Sequence, residues 1–120
     1  MGGPNFLVSR DFHFDAAHSL PNYQGECERL HGHRWQVRIT VKAPLESGSG
    51  IALDFHEIDR VVREAALEEL DHTLLNDLME HPSAENTALF LWERLADKLP
   101  LELVEVWETP RSRVAYRPGL

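Results

Sequence analysis

From Arg34 to Lys42 the chain alternates without a break, with Trp35, Val37, Ile39 and Val41 on one parity and Arg34, Gln36, Arg38, Thr40 and Lys42 on the other. Successive side chains of an extended strand point to opposite faces, so this run is a strand with one apolar and one polar face. Such a strand cannot stand alone: it needs neighbours in a sheet and a second layer over its apolar side. A run of the same kind precedes it. Phe6, Val8, Phe12, Phe14 and Ala16 share even parity, which predicts a long half-buried strand that ends near His18. Ala43-Pro44 ends the Arg34 strand, Glu46 to Gly50 reads as a loop, and Ile51–Leu53 reads as a short third strand.

The period then changes. Asp54 with Glu57 resembles a capping box with Asp in the Ser/Thr place. Behind it Ile58, Val61, Val62, Ala65 and Leu70, with Ala66 nearby, recur at helical spacing. Ser83 is the expected N-cap of a second helix whose stripe is Ala84, Ala88, Leu91, Trp92, Leu95 and Leu99, closed by Pro100. Leu101 to Thr109, a Pro110-Arg111-Ser112 turn and Arg113 to Arg117 read as a hairpin. The order β-β-β-α-α-β-β indicates an α+β fold with helices on one face of an antiparallel sheet. No repeat, low-complexity tract or linker interrupts it, so residues 1–120 are expected to form a single domain. The polar face of the central strand is expected to meet solvent, a subunit interface or a charged lumen.

Composition narrows the function classes. A hydrophobic share of 42% with 27% charged residues is that of a globular chain. The apolar stretches are only a few residues long, so no bilayer span is expected, and Met1 to Asn5 does not read as the start of a secretory signal. The single cysteine, Cys27, excludes an internal disulfide framework and suits a reducing compartment, so the expected location is cytoplasmic. Net charge is −8 and unevenly spread: residues 1–43 hold five Lys/Arg against four Asp/Glu, the remainder seven against sixteen. That balance argues against a nucleic-acid partner and leaves room for a small anionic ligand near the first third of the chain.

The strongest chemical signal is Cys27-Glu28-Arg29-Leu30-His31-Gly32-His33. Two histidines at i and i+2 on extended backbone point the same way, as ligands of one metal ion must, and they continue the parity of Trp35 and Val37. His18, at the end of the first strand pattern, is the natural third ligand. Zinc accepts imidazole nitrogen readily, and a catalytic site takes three protein ligands with one position open. Two other readings stand beside this one: His31 and His33 as turn residues without a ligand, or Cys27 with the histidines as a closed structural zinc knot. A Cys27 left uncoordinated would be a base or nucleophile whose thiol a nearby cation acidifies. Asp71-His72 at a helix exit fits a proton relay, and equally a helix-end cap. Glu108 shares parity with Val104 and Val106, which carries a carboxylate onto the apolar face; it is paired there with a base such as Arg113, or kept for a ligand's N–H groups. His13, His56 and His81 read as solvated.

Together Phe14-Asp-Ala-Ala-His18, Cys27-x-x-x-His31-Gly-His33, Leu53-Asp54-Phe55, Leu70-Asp71-His72, Pro82-Ser-Ala-Glu85-Asn86 and Glu108-Thr109 resemble the 6-pyruvoyl-tetrahydropterin synthase family, above all its 6-carboxytetrahydropterin synthase branch of queuosine biosynthesis. The resemblance spans nearly the whole chain. It implies the tunnelling fold: a four-stranded antiparallel sheet with two helices on one face, closed into an oligomeric barrel by three subunits and stacked as a homo-hexamer. It implies zinc on His18, His31 and His33, Cys27 as general base, and Asp71 with His72 as a relay contributed by a neighbouring subunit. Glu108 would anchor the pterin edge, with Ser83, Ala84 and Glu85 lining that pocket. The implied substrate is 7,8-dihydroneopterin triphosphate and the implied products are 6-carboxytetrahydropterin, acetaldehyde and triphosphate. One feature departs from the queuosine pattern: Glu28 directly follows Cys27. A related branch uses glutamate in the cysteine's place to make 6-hydroxymethyldihydropterin for folate synthesis, so this chain resembles a dual type. A pyruvoyl-forming synthase, a non-enzymatic zinc-stabilised module and a metal-dependent cupin-like enzyme, against which the two helical stripes argue, are the remaining alternatives.

Overall fold

The computed structural model describes residues 3–21 and 29–120. Two long strands dominate it. Strand β1 (Asn5–His18) and strand β2 (His31–Pro44) pair antiparallel along their whole length, from Asn5 opposite Pro44 to His18 opposite His31. Parity decides the faces as expected. Phe12, Phe14 and Ala16 on β1 and Trp35, Val37, Ile39 and Val41 on β2 are all buried, with the Phe14 and Trp35 rings stacked.

Helix α1 (Phe55–Val62) begins at Asp54, whose carboxylate accepts the His56 N–H at 2.8 Å. It runs on through a π-helical segment, Arg63–Leu67, into a last α-turn, Glu68–Leu70. The wide π turn rotates the later residues about the axis. Ala66, Leu67 and Leu70 are therefore buried, whereas Ala65, expected in the stripe, is only partly so. Strand β3 (Thr73–Leu74) and a 3₁₀ turn (Leu75–Asp77) follow. Helix α2 (Ala84–Leu95) starts at Ser83, whose Oγ accepts the Asn86 N–H. It packs Ala84, Thr87, Ala88, Leu91 and Leu95 into the core and leaves Trp92 half-buried against Tyr116. Arg94 of α2 forks Glu69 at the end of the α1 run, which ties the two helical segments together. Strands β4 (Leu101–Thr109) and β5 (Ser112–Tyr116) form the expected hairpin.

The sheet corrects two expectations. Among the described residues it has five strands in the order β3-β1-β2-β4-β5 rather than four, and it is mixed, because β3 runs parallel to β1 at Ala16 and Ala17. Ile51–Leu53 is not a strand. The Ile51 carbonyl accepts the Glu46 N–H and closes the loop locally, and the triplet lines an apolar hollow instead of joining a ladder. Among the described residues no helix is long and apolar enough to cross a membrane.

Candidate metal centre

The β1–β2 register brings His18 and His31 face to face, and His33 lies one pleat further along, opposite Ala16. All three imidazoles project to the apolar face of the sheet and meet edge to face, with centroids 4.6 Å, 5.3 Å and 4.6 Å apart. Trp35 forms the floor, its ring edge-on to both His18 and His33 and its Nε1 donating to the Ala16 carbonyl. His18 is fully buried.

Outer partners fix the tautomers. His18 Nδ1 donates to the Pro82 carbonyl at 2.6 Å, and His31 Nδ1 donates to the Arg29 carbonyl at 2.6 Å. A carbonyl only accepts, so in each neutral ring the proton sits on Nδ1 and Nε2 presents a bare lone pair. His18 Nε2 and His31 Nε2 then face each other at 3.1 Å as two acceptors, an arrangement that a cation between them makes favourable. His33 Nε2 is buried without a hydrogen-bond partner among the described residues. Burial, opposed by the Glu108 charge, holds the His33 imidazole below the usual histidine range, so it is neutral and ready to ligate. Three nitrogens with a carboxylate at hand suit a borderline divalent cation such as zinc, and the site fits one.

Glu108 is on the face that parity predicts. Its Oε1 stands 3.2 Å from His18 Nε2 and 3.1 Å from His33 Nε2. Arg113, the expected basic partner, pairs with Glu105. Glu108 also borders a hollow of ≈ 290 Å³ with His33, Arg34, Trp107, Thr109 and Pro110; His13, exposed as expected, lies on its rim. His56 and His81 are exposed and stand apart from the centre.

Asp71 and His72 form a second group. Asp71 Oδ2 is 3.0 Å from His72 Nδ1, and its Oδ1 accepts the Asp15 backbone N–H. The His72 N–H donates to the Asp15 carbonyl, which holds the residue at φ 59°, in the left-handed region that few residues other than glycine adopt. His72 thus projects into an open hollow that His33 and Arg34 also line. Arg34 forks the Asp15 carboxylate and holds it below its ordinary value, so its charge is already engaged.

Cys27 and Glu28 lie outside the described residues. Ser83 is spent on capping α2, Ala84 is in the core, and Glu85 is exposed on the first turn. What this segment gives the centre is the Pro82 carbonyl. Sequence reading missed it because a backbone oxygen has no residue-type signature.

The 6-pyruvoyl tetrahydropterin synthase family model matches residues 7–119. The 6-carboxy-5,6,7,8-tetrahydropterin synthase of Synechocystis is 34% identical, with 92% of each chain covered. The dihydroneopterin monophosphate aldolase of Pyrococcus furiosus is 36% identical over 79% of this chain and 82% of its own. Among solved structures, the 6-pyruvoyl tetrahydropterin synthase of Caenorhabditis elegans superposes with a TM-score of 0.89 at 22% identity, covering 99% of both chains.

Proposed function

The chain belongs to the 6-pyruvoyl tetrahydropterin synthase family, and from that premise we propose that it is a zinc-dependent lyase converting 7,8-dihydroneopterin triphosphate and one water to 6-carboxy-5,6,7,8-tetrahydropterin, with release of acetaldehyde and triphosphate. The observation that carries this reading is the convergence of three imidazoles: His18 and His31 have Nε2 lone pairs left bare by carbonyl-bound Nδ1 protons, and His33 Nε2 is buried without a hydrogen-bond partner among the described residues. His18, His31 and His33 would hold the ion. Bound there, zinc would supply Lewis acidity toward the hydroxyls of the substrate side chain. Cys27 takes a proton from the side chain as general base, and His72, oriented by Asp71, returns one. The double bond shifts so that the ring is reduced internally, without nicotinamide or flavin. Glu108 accepts the N–H edge of the amino-pyrimidinone, and the Ser83–Glu85 turn borders the ring.

Assembly is part of the proposal. The outer edge of β1 from Asn5 to Asp15 has no partner strand among the described residues, and β5 is the other open edge. Edges of this kind favour strand pairing between copies. A trimeric barrel, doubled to a hexamer, closes both, and it brings Asp71 and His72 of one subunit to the metal of the next.

A second reading has its own support. Glu28 beside Cys27, with the resemblance to a dihydroneopterin monophosphate aldolase, favours a carbon–carbon cleavage that yields 6-hydroxymethyl-7,8-dihydropterin. Mass spectrometry of the products from dihydroneopterin triphosphate, with acetaldehyde detection, decides between them. Carboxytetrahydropterin with acetaldehyde is expected. Cys27→Ala abolishes it while zinc stays bound, and hydroxymethyldihydropterin that vanishes in Glu28→Gln would replace the first reading with the second. Zinc lost in Cys27→Ala would instead mark a closed structural centre, and the chain as a binding module.

A further inference from the structure

The proposed function uses Glu108 only toward the ring of the substrate, yet in the free chain the carboxylate is turned to the histidines. Its Oε1 is 3.2 Å from His18 Nε2 and 3.1 Å from His33 Nε2, while His18 Nε2 and His31 Nε2 are 3.1 Å apart. Neither Glu108 contact has the angles of a hydrogen bond. Among the described residues His33 Nε2 is left without a hydrogen-bond partner, and the proton of neutral His18 is committed to Pro82 through Nδ1. Four donors sharing one tetrahedral ion at about 2.0–2.1 Å would stand about 3.3 Å from one another. The three separations lie close to that value, and the fourth donor among them is a carboxylate oxygen.

The backbone explains how a strand residue can serve two directions. The β2–β4 ladder ends with Gln36 opposite Trp107, and the β4–β5 register slips between Trp107 and Thr109. Glu108 is therefore paired on neither side, and the hairpin turn at Pro110 follows directly. Bulges of this kind re-aim a side chain at low cost. On one side the carboxylate meets the imidazoles; on the other it opens onto the ≈ 290 Å³ hollow beside Trp107 and Thr109.

We propose that Glu108 is an exchangeable fourth donor, which closes the His18–His31–His33 centre in the free protein and leaves it when the N–H edge of a pterin ring claims the carboxylate. The exchange rests on the pterin reading above. It makes opening of the metal conditional on ring recognition, because a ligand without that edge must compete with a carboxylate tethered at high effective concentration.

Zinc affinity of the substrate-free protein, measured by competition with a chromophoric chelator, tests the donor. Glu108→Gln should weaken zinc on the order of 10–100-fold, and Glu102→Gln, on the same strand beside Arg117, should leave it unchanged. The cobalt(II)-loaded protein tests the exchange. Adding pterin, which carries the ring edge and no side chain, should shift the visible cobalt absorption of the wild type toward that of Glu108→Gln, and should leave that variant's own spectrum still. The wild-type titration needs no variant, so a misfolded substitution does not spare the proposal. Equal zinc affinity in a folded Glu108→Gln overturns the donor, and an unmoved cobalt spectrum with pterin bound overturns the exchange. Failure of the chain to bind pterin, with zinc affinity still lowered in the variant, overturns the pterin reading and the exchange with it.

Discussion

The two ends of the β1–β2 hairpin are built from the same alternating pattern and finish in opposite states. At the His18–His31 end His18 is fully buried and His31 and His33 half-buried, and distant segments are drawn in: Pro82 to His18, and Asp71 and His72 to Asp15. At the Asn5–Pro44 end Phe6, Leu7, Leu45, Ile51 and Phe55 are exposed, and they rim an apolar hollow of ≈ 550 Å³. One end gathers its four donor residues within a single chain. The other displays apolar surface that burial against a second copy would stabilise by roughly 25 cal/mol per Å². The difference teaches that parity alone does not bury a residue: a second layer does, and Phe6, on the same parity as Phe12 and Phe14, stays exposed without one.

Substitutions at the two ends should therefore fail differently. Trp35→Ala removes the floor of the histidine cluster and should cost about 3–5 kcal/mol, read as a lowered denaturant midpoint with zinc binding lost alongside. His33→Ala should leave the fold standing and weaken zinc by about a hundredfold or more, on the order of 3 kcal/mol; chelator competition measures it. Leu7→Asp should change the stability of the isolated subunit by no more than about 0.5 kcal/mol while shifting light-scattering mass toward a single chain. Equal loss of stability at Leu7 and Trp35 would erase the contrast. Ser83→Ala should cost about 1 kcal/mol and loosen the turn that offers the Pro82 carbonyl, so zinc should weaken slightly with it. The smallest effect is in pH. Because His33 has a folded pKa below its unfolded value, the unfolded chain binds the extra proton first as pH falls. The metal-free protein should hold its full stability above about pH 6.5 and lose some below it, and His33→Ala should flatten that part of the melting profile.

Much of the histidine end was legible. Parity alone put His18 with Phe12 and Phe14, and His31 and His33 with Trp35, because a strand has only two faces. It put Glu108 on the correct face as well. It did not give the carboxylate's neighbours, because the β2–β4 register depends on tertiary packing. Thr73–Leu74 escaped because two residues carry no period, and the pairing is through backbone groups. The π segment escaped for a related reason: Arg63 to Leu67 has ordinary helix-forming residues, and the extra residue in the turn shows only in which side chains are buried afterward. Ile51–Leu53 misled because an apolar triplet after a loop has the composition of a strand, whereas its role is to line the uncovered end.

The bond from His18 Nδ1 to the Pro82 carbonyl spans 64 residues of sequence, and the one from Asp15 N–H to Asp71 spans 56. Contacts so distant along the chain carry a large loop-closure entropy and tend to form late in folding. The β1–β2 register alone gathers the three imidazoles, whereas the Pro82 carbonyl that fixes the His18 tautomer and the Glu108 carboxylate arrive only with the finished topology. A partly folded hairpin would offer an ion three histidines without the outer carbonyl and the carboxylate, and tight metal uptake would report that folding is over.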